Sequence, residues 1–399
     1  MERRIISLYG DNSKDVLEAT LDKLNSEQLK AFVVDAIRTS STDPVQLTKA
    51  LCFGSPVEKS RGLERRKAVF HDVLDCVNDE TQGDKTCGDV VGVLMMEVDA
   101  FPVEQLAELC DYFLGKIKAG EVANGRCLEL FPKVLSSIQW MPNVPLVGDC
   151  SGQMTGAAYK SHMINKVCSC KWSSGVVIHL AAMFRDVTMT TEELRFVLEK
   201  VVRMLDGIAL TELPPLVYQL LLLANKGHKR LVLDGLCTYF SKLDKQSMTD
   251  DTGKDLQAEA PADLRPTQGT VILHITFAAK QDQELGREFV KTLKVCQQRS
   301  SSSVLSPFVL ALALSLARIR RFEEPVFEIL TSAISRSYRD AEKRKMSRWA
   351  YETSPVVSNI ASLLMDVCRL TGWEHVMQGL VQLGFLLMDS NTPKSTGFC

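Results

Sequence analysis

Residues 190–205 read TTEELRFVLEKVVRML. The apolar side chains Leu194, Val197, Leu198, Val201, Val202 and Leu205 recur at i, i+3, i+4, i+7, i+8 and i+11, which puts them on one stripe of an α-helix. Thr190 or Thr191 is placed to cap the free amides at the helix start. Glu192 and Glu193 follow in the first turn, where a carboxylate complements the helix dipole. Working outward from this segment, the same spacing predicts helices over 14–24, 26–39, 63–77, 102–117, 211–225, 229–243, 284–297, 306–319, 324–338, 354–370 and 373–388. Two apolar runs, 90–96 and 271–277, have strand-like propensity but helical neighbours, and are taken as buried helices.

The links between these segments are short and carry helix breakers, as in 114–120 and 225–227, so successive helices must lie antiparallel. No alternating strand pattern and no glycine-rich phosphate loop interrupts the series. The expected fold is therefore all-α, an α-solenoid of irregular antiparallel helical repeats without a fixed period. A glycine-bearing stretch at 146–158 is expected to be a loop. The polar, acidic stretch at 244–266 is expected to be a mobile insertion, longer than most ordered connections.

At 399 residues, 45% hydrophobic and 24% charged, the chain has the composition of a folded protein and is long for a single core. Its formal charge of -2 supplies no global field for nucleic acid, so any such contact has to come from a local basic patch. Twelve cysteines, with a start (Met1-Glu2-Arg3-Arg4-Ile5) lacking an apolar signal core, point to a reducing compartment. Cys168-Ser169-Cys170, with His162 upstream, matches no zinc spacing and reads as buried thiols. No metal, cofactor, lipid anchor or small-molecule substrate is expected. The longest apolar run, 216–224, is far too short to cross a bilayer.

Catalysis needs a nucleophile, base and stabilising group in a recognisable setting, and none is evident. The six histidines are dispersed. His179 and His274 lie within apolar helices, where a hydrogen-bonded core histidine is the more common reading. Charge is more informative. Between Arg287 and Arg348 thirteen basic residues face six acidic ones, a local excess of seven. Lys291 and Lys294 are three apart, as are Arg336 and Arg339, so each pair shares a helix face able to track phosphates. A solvated face is the competing explanation. A smaller cluster, Arg61, Arg65, Arg66 and Lys67, carries a weaker form of the same signal.

Several runs go beyond pattern. Asn124-Gly125 followed by LELFP (128–132), MFRDV (183–187), ELPPLVYQLL (212–221), FSKLDKQ (240–246), GTVILHITF (269–277), ELGREFVKTLKV (284–295) and GLVQLGFLLMDS (379–390) resemble the Fanconi anaemia group I family, in order along nearly the whole chain. The resemblance implies an amino-terminal solenoid cap over 1–56 and a first α-solenoid over 57–283. A helical domain with basic faces over 284–371 and the truncated start of a second solenoid over 372–399 would follow. It implies a non-enzymatic nuclear scaffold for interstrand-crosslink repair. Such a protein pairs as a heterodimer with the Fanconi anaemia group D2 protein and holds branched or double-stranded DNA. It is regulated by phosphorylation and monoubiquitination, with the modified residues expected beyond position 399. Lys291, Lys294, Arg336 and Arg339 would then lie where the family's inner surface approaches DNA. The alternative is a helical-repeat module that binds proteins only.

Overall fold

The structure is a computed structural model, and it describes residues 1–39, 43–53, 60–79, 84–122, 125–146, 152–248, 264–299, 306–330 and 332. The chain divides into two compact units, Met1–Val197 and Leu198–Cys399.

The first unit contains α1 (Glu2–Gly10), α2 (Lys14–Leu21), α3 (Ser26–Thr39), α4 (Pro44–Phe53), α5 (Ser60–Asp79), α6 (Asp84–Glu97), α7 (Val103–Ala119), α8 (Leu130–Ile138), α9 (Gly156–Ser169) and α10 (Ser174–Asp186). The start of α11 (Thr191–Met204) also belongs to it. A 3-10 turn, Gly125–Glu129, leads into α8. Helices pack on their sequence neighbours and again on the helix two along: α3 on α4 and α5, α4 on α6, α7 on α8 and α9. That i, i+2 stacking makes a solenoid, because each helical pair leaves one face open that the next pair covers. Ring pairs fill the seams, Phe70 edge-on to Phe101 with centroids 5.0 Å apart and Phe113 tilted against Phe131 at 5.3 Å.

The second unit contains α12 (Leu213–Ala224), α13 (Lys229–Met248), α14 (Leu264–Gln281), α15 (Gln283–Arg299) and α16 (Pro307–Ala317), followed by a helical segment at 323–330. The stacking repeats here: α12 packs on α14, α13 on α15 and α14 on α16. Phe240 of α13 stacks on Phe308 of α16 at 4.0 Å, and Gly235 lets α13 approach Val202 more closely than a β-carbon would permit. The architecture is an all-helical α-solenoid.

The helix-deciding stripe is buried as expected, with Leu194, Val197, Leu198, Val201 and Leu205 all inside. Its start is a capping box: the Glu193 amide donates to Thr190 Oγ1 at 3.3 Å, and the Thr190 amide donates to Glu193 Oε2 at 2.7 Å. The runs 90–96 and 271–277 are helical, inside α6 and α14.

Four expectations need correction. Residues 114–119 belong to α7, and only Gly120, left-handed at φ 71°, ends that helix. The stretch 146–158 is not all loop, because Gln153–Met154 pairs antiparallel with Val144–Pro145 and α9 begins at Gly156. The acidic stretch 244–266 is helical at both ends, where α13 continues to Met248 and α14 already includes Pro266 in its first turn, the position a proline tolerates best. Its central part lies outside the described residues. His179 and His274 are half-exposed, the latter tilted against Tyr218 at 5.6 Å, because each sits at the edge of its helix's apolar face. The expected helices at 354–370 and 373–388, and the end of that at 324–338, also fall outside the described residues. No described helix is long and apolar enough to cross a membrane.

Candidate nucleic-acid interface

α15 is built to hold one face against the second unit and the other in solvent. Leu285, Phe289, Val290 and Leu293 are buried, with Thr292 among them. Gly286 meets the ring of Phe322, where a β-carbon would collide with it. Asp282 caps the start: its Oδ1 accepts from the amides of Glu284 at 2.9 Å and Leu285 at 3.1 Å. Its other oxygen takes a 2.7 Å ion pair from Lys229 of α13. Burial works against this carboxylate's charge, but the Lys229 ammonium and the two amides outweigh it and hold its pKa below the usual range.

On the outer face, Arg287, Lys291 and Lys294 are exposed at i, i+4 and i+7, so they form a row along the helix. One turn upstream on the same face, Gln283 accepts a hydrogen bond from the Arg321 guanidinium, which brings the exposed turn of Arg318, Arg320 and Arg321 to the head of that row. From Gln283 to Lys294 the row spans about 16 Å of helix. The sequence reading named Lys291 and Lys294 as a pair. It missed that Arg287 continues the row and that Arg321, far away in sequence, extends it. The first signal was legible as a spacing of four; the second needs the fold.

The row is not made of free charges. Lys291 pairs with Glu288 at 2.6 Å and Lys294 reaches Glu328 at 3.5 Å. Both lysines and Glu328 are well solvated and Glu288 is partly so, which makes these pairs weak and readily exchanged. Arg336 and Arg339 lie outside the described residues. The smaller basic cluster has a structural role where its side chains are described. Arg65 is almost buried against Asp22 at 2.9 Å, and Lys67 holds Glu108 at 3.0 Å, which with Glu64 raises its pKa.

Among the described residues no three histidine, cysteine or acidic side chains come together as a metal site. Cys168 is buried at the end of α9, while Cys170 is half-exposed just after it.

An all-helical solenoid that presents a row of cations on one well-anchored helix belongs to the class of repeat scaffolds, in which extended surfaces do the binding. The sequence matches the family descriptions FANCI solenoid 1 over residues 63–280 and FANCI helical domain 1 over residues 284–369. It is 37% identical to the Fanconi anemia group I protein homolog of Mus musculus and 39% identical to the Fanconi anemia group I protein of Gallus gallus, each over 99% of this chain and 30% of the relative. The chain belongs to the Fanconi anaemia group I family. It spans about 30% of the length of those curated relatives.

Proposed function

We propose that this chain is a non-enzymatic, nuclear DNA-repair scaffold that grips branched or double-stranded DNA through the basic row on α15 and pairs with the Fanconi anaemia group D2 protein. The observation that carries the DNA reading is the alignment of Arg287, Lys291 and Lys294 on the solvent face of a helix whose opposite face is fully packed. A rigid row of cations, with no base-reading motif, suits a grip on phosphates by shape and charge. Lys291 and Lys294 are the proposed contacts, together with Arg336 and Arg339, which lie outside the described residues. The domain division proposed with it is a cap at 1–56, a first solenoid at 57–283, a helical domain at 284–371 and the beginning of a second solenoid at 372–399. Regulation by phosphorylation and ubiquitination, and a role in interstrand-crosslink repair, come with the family and are proposed for the whole protein.

The test is fluorescence-anisotropy titration of the chain with a branched DNA at several salt concentrations, beside a Lys291→Ala, Lys294→Ala variant. Counterion release makes log affinity fall with log salt by about 0.9 per phosphate neutralised. The variant is expected to bind more weakly and to flatten that slope by roughly two. Binding of the native chain with no salt dependence, or none at low salt, leaves the module that binds only proteins as the better reading.

A further inference from the structure

A second group of cations lies in the first unit. Lys118, from the last turn of α7, and His162, Asn165, Lys166, Ser169, Cys170 and Lys171, from the end of α9 and just beyond, line a shallow, open hollow of about 560 Å³. Several described lysines, such as Lys67, Lys116, Lys133 and Lys229, have carboxylate partners within 4 Å. Among the described residues, Lys118, Lys166 and Lys171 have none. The acid that shares their field, Asp111, is half-buried and unpaired. Burial pushes its carboxyl up while Lys166, Lys118 and His162 pull it back.

Lysines at helix ends usually serve the helix itself, by opposing the dipole and bonding the last carbonyls. Here several of those carbonyls already have other donors. At α7 the amides of Gly120 and Glu121 bond back to Ile117 and Lys116 at 3.2 and 3.0 Å. At α9 the Asn165 carbonyl accepts from Ser169 Oγ at 2.7 Å, that of Lys166 from the Cys170 amide at 3.2 Å, and that of Val167 from Trp172 Nε1 at 2.8 Å. α7 also has Lys116 in its last turn, bound to Asp75 and Glu121. Lys118, Lys166 and Lys171 all line the one hollow.

We propose that this pocket is a receptor for a phosphorylated side chain carried by a protein segment. Three unpaired ammonium groups suit a doubly charged phosphomonoester, whose oxygens can accept from several donors at once. The Asn165 side-chain amide adds a neutral donor on the same rim. Its cations gather around one hollow, whereas those of the α15 row follow a line: a single phosphate can be met by several donors at once, while duplex phosphates favour cations spaced along a line. No phenylalanine, tyrosine or tryptophan lines the hollow. The inference does not depend on the DNA reading.

The experiment uses the full chain and two labelled pools of short peptides with randomised flanks, one with a fixed phosphoserine and one with serine in its place. Binding of the phosphorylated pool alone, lost in Lys118→Ala, Lys166→Ala, Lys171→Ala by about tenfold per lysine (~1.4 kcal/mol each), is the expected result. The matching triple arginine variant should retain binding, and circular dichroism of both should match the native chain. Equal affinity for the two pools, or binding untouched by the alanine changes, overturns the proposal. Inorganic phosphate binding as tightly as the peptides reduces the site to a bare anion hole. Displacement of the phosphopeptide by a DNA duplex with the same lysine dependence reassigns it to nucleic acid; either result also overturns it.

Discussion

Gly156 begins α9 where it crosses the end of α8, and a β-carbon there would collide with the Ile138 carbonyl oxygen and come within 2.9 Å of the Gln139 carbonyl carbon. Backbone on both sides leaves little to relax, so Gly156→Ala should destabilise the chain by about 2–3 kcal/mol. Gly115, exposed in the middle of α7 with nothing within 4 Å of the same added atom, presents the reverse case. Gly115→Ala should stabilise by roughly 0.5–1 kcal/mol, because it removes only the flexibility that glycine gives the unfolded chain. Thermal melts of the two variants check the opposite signs. Glu193 carries a pH signature. Burial opposes its ionisation, but Ser161, the Thr190 amide, Lys160 and the Thr190 hydroxyl together hold its pKa below the usual carboxylate range. A depressed carboxylate stabilises above its unfolded pKa and loses that contribution as pH falls through the folded value. Glu193→Gln keeps the capping geometry but cannot titrate, so the fall in melting temperature on acidification below about pH 4.5 should become shallower. An unchanged acid limb sinks this assignment. The Thr190 and Glu193 signals were readable in sequence because a capping box is local. The Gly156 contact was not, because it depends on where α8 ends.

The helices most easily read were those with uninterrupted apolar stripes, such as α3, α11 and α15. Those passed over, α1, α4, α8 and α9, are mostly short, and several hide their pattern: α8 carries Pro132 near its start, and α9 opens on glycine and alanines. Their register is set by tertiary packing more than by propensity, as expected for helices of a few turns. For the site, a three-residue spacing identified Lys291 and Lys294, but their ion-pair partners were only partly legible. Glu288 is local, while Glu328 arrives from the segment after α16. Those partners distinguish a DNA-tracking face from a solvated one. Both acids oppose phosphate, so Glu288→Gln with Glu328→Gln should tighten binding to duplex DNA by several-fold at low salt. Exposed pairs contribute little to stability, and the melting temperature should hardly move. Unchanged or weaker DNA binding by this variant, measured beside the native chain, counts against α15 as the contact.

For the molecule as a whole, balanced charge sharpens the question of where a DNA grip could reside. With a formal charge of -2 there is no general attraction to a polyanion, and any affinity has to be concentrated where cations outnumber acids and point the same way. That separates a localised grip from a diffuse one. Lys291→Ala with Lys294→Ala and Lys14→Ala with Arg203→Ala change the formal charge identically, yet the second pair removes exposed cations of α2 and α11, outside the α15 row. If the row is the grip, the first variant weakens binding to branched DNA and flattens its salt slope by about two, while the second leaves both near native values. Equal losses in the two variants would show that the chain responds only to its net charge, and the ordered row on α15 would then be a solvated helix face, with the scaffold acting through proteins alone.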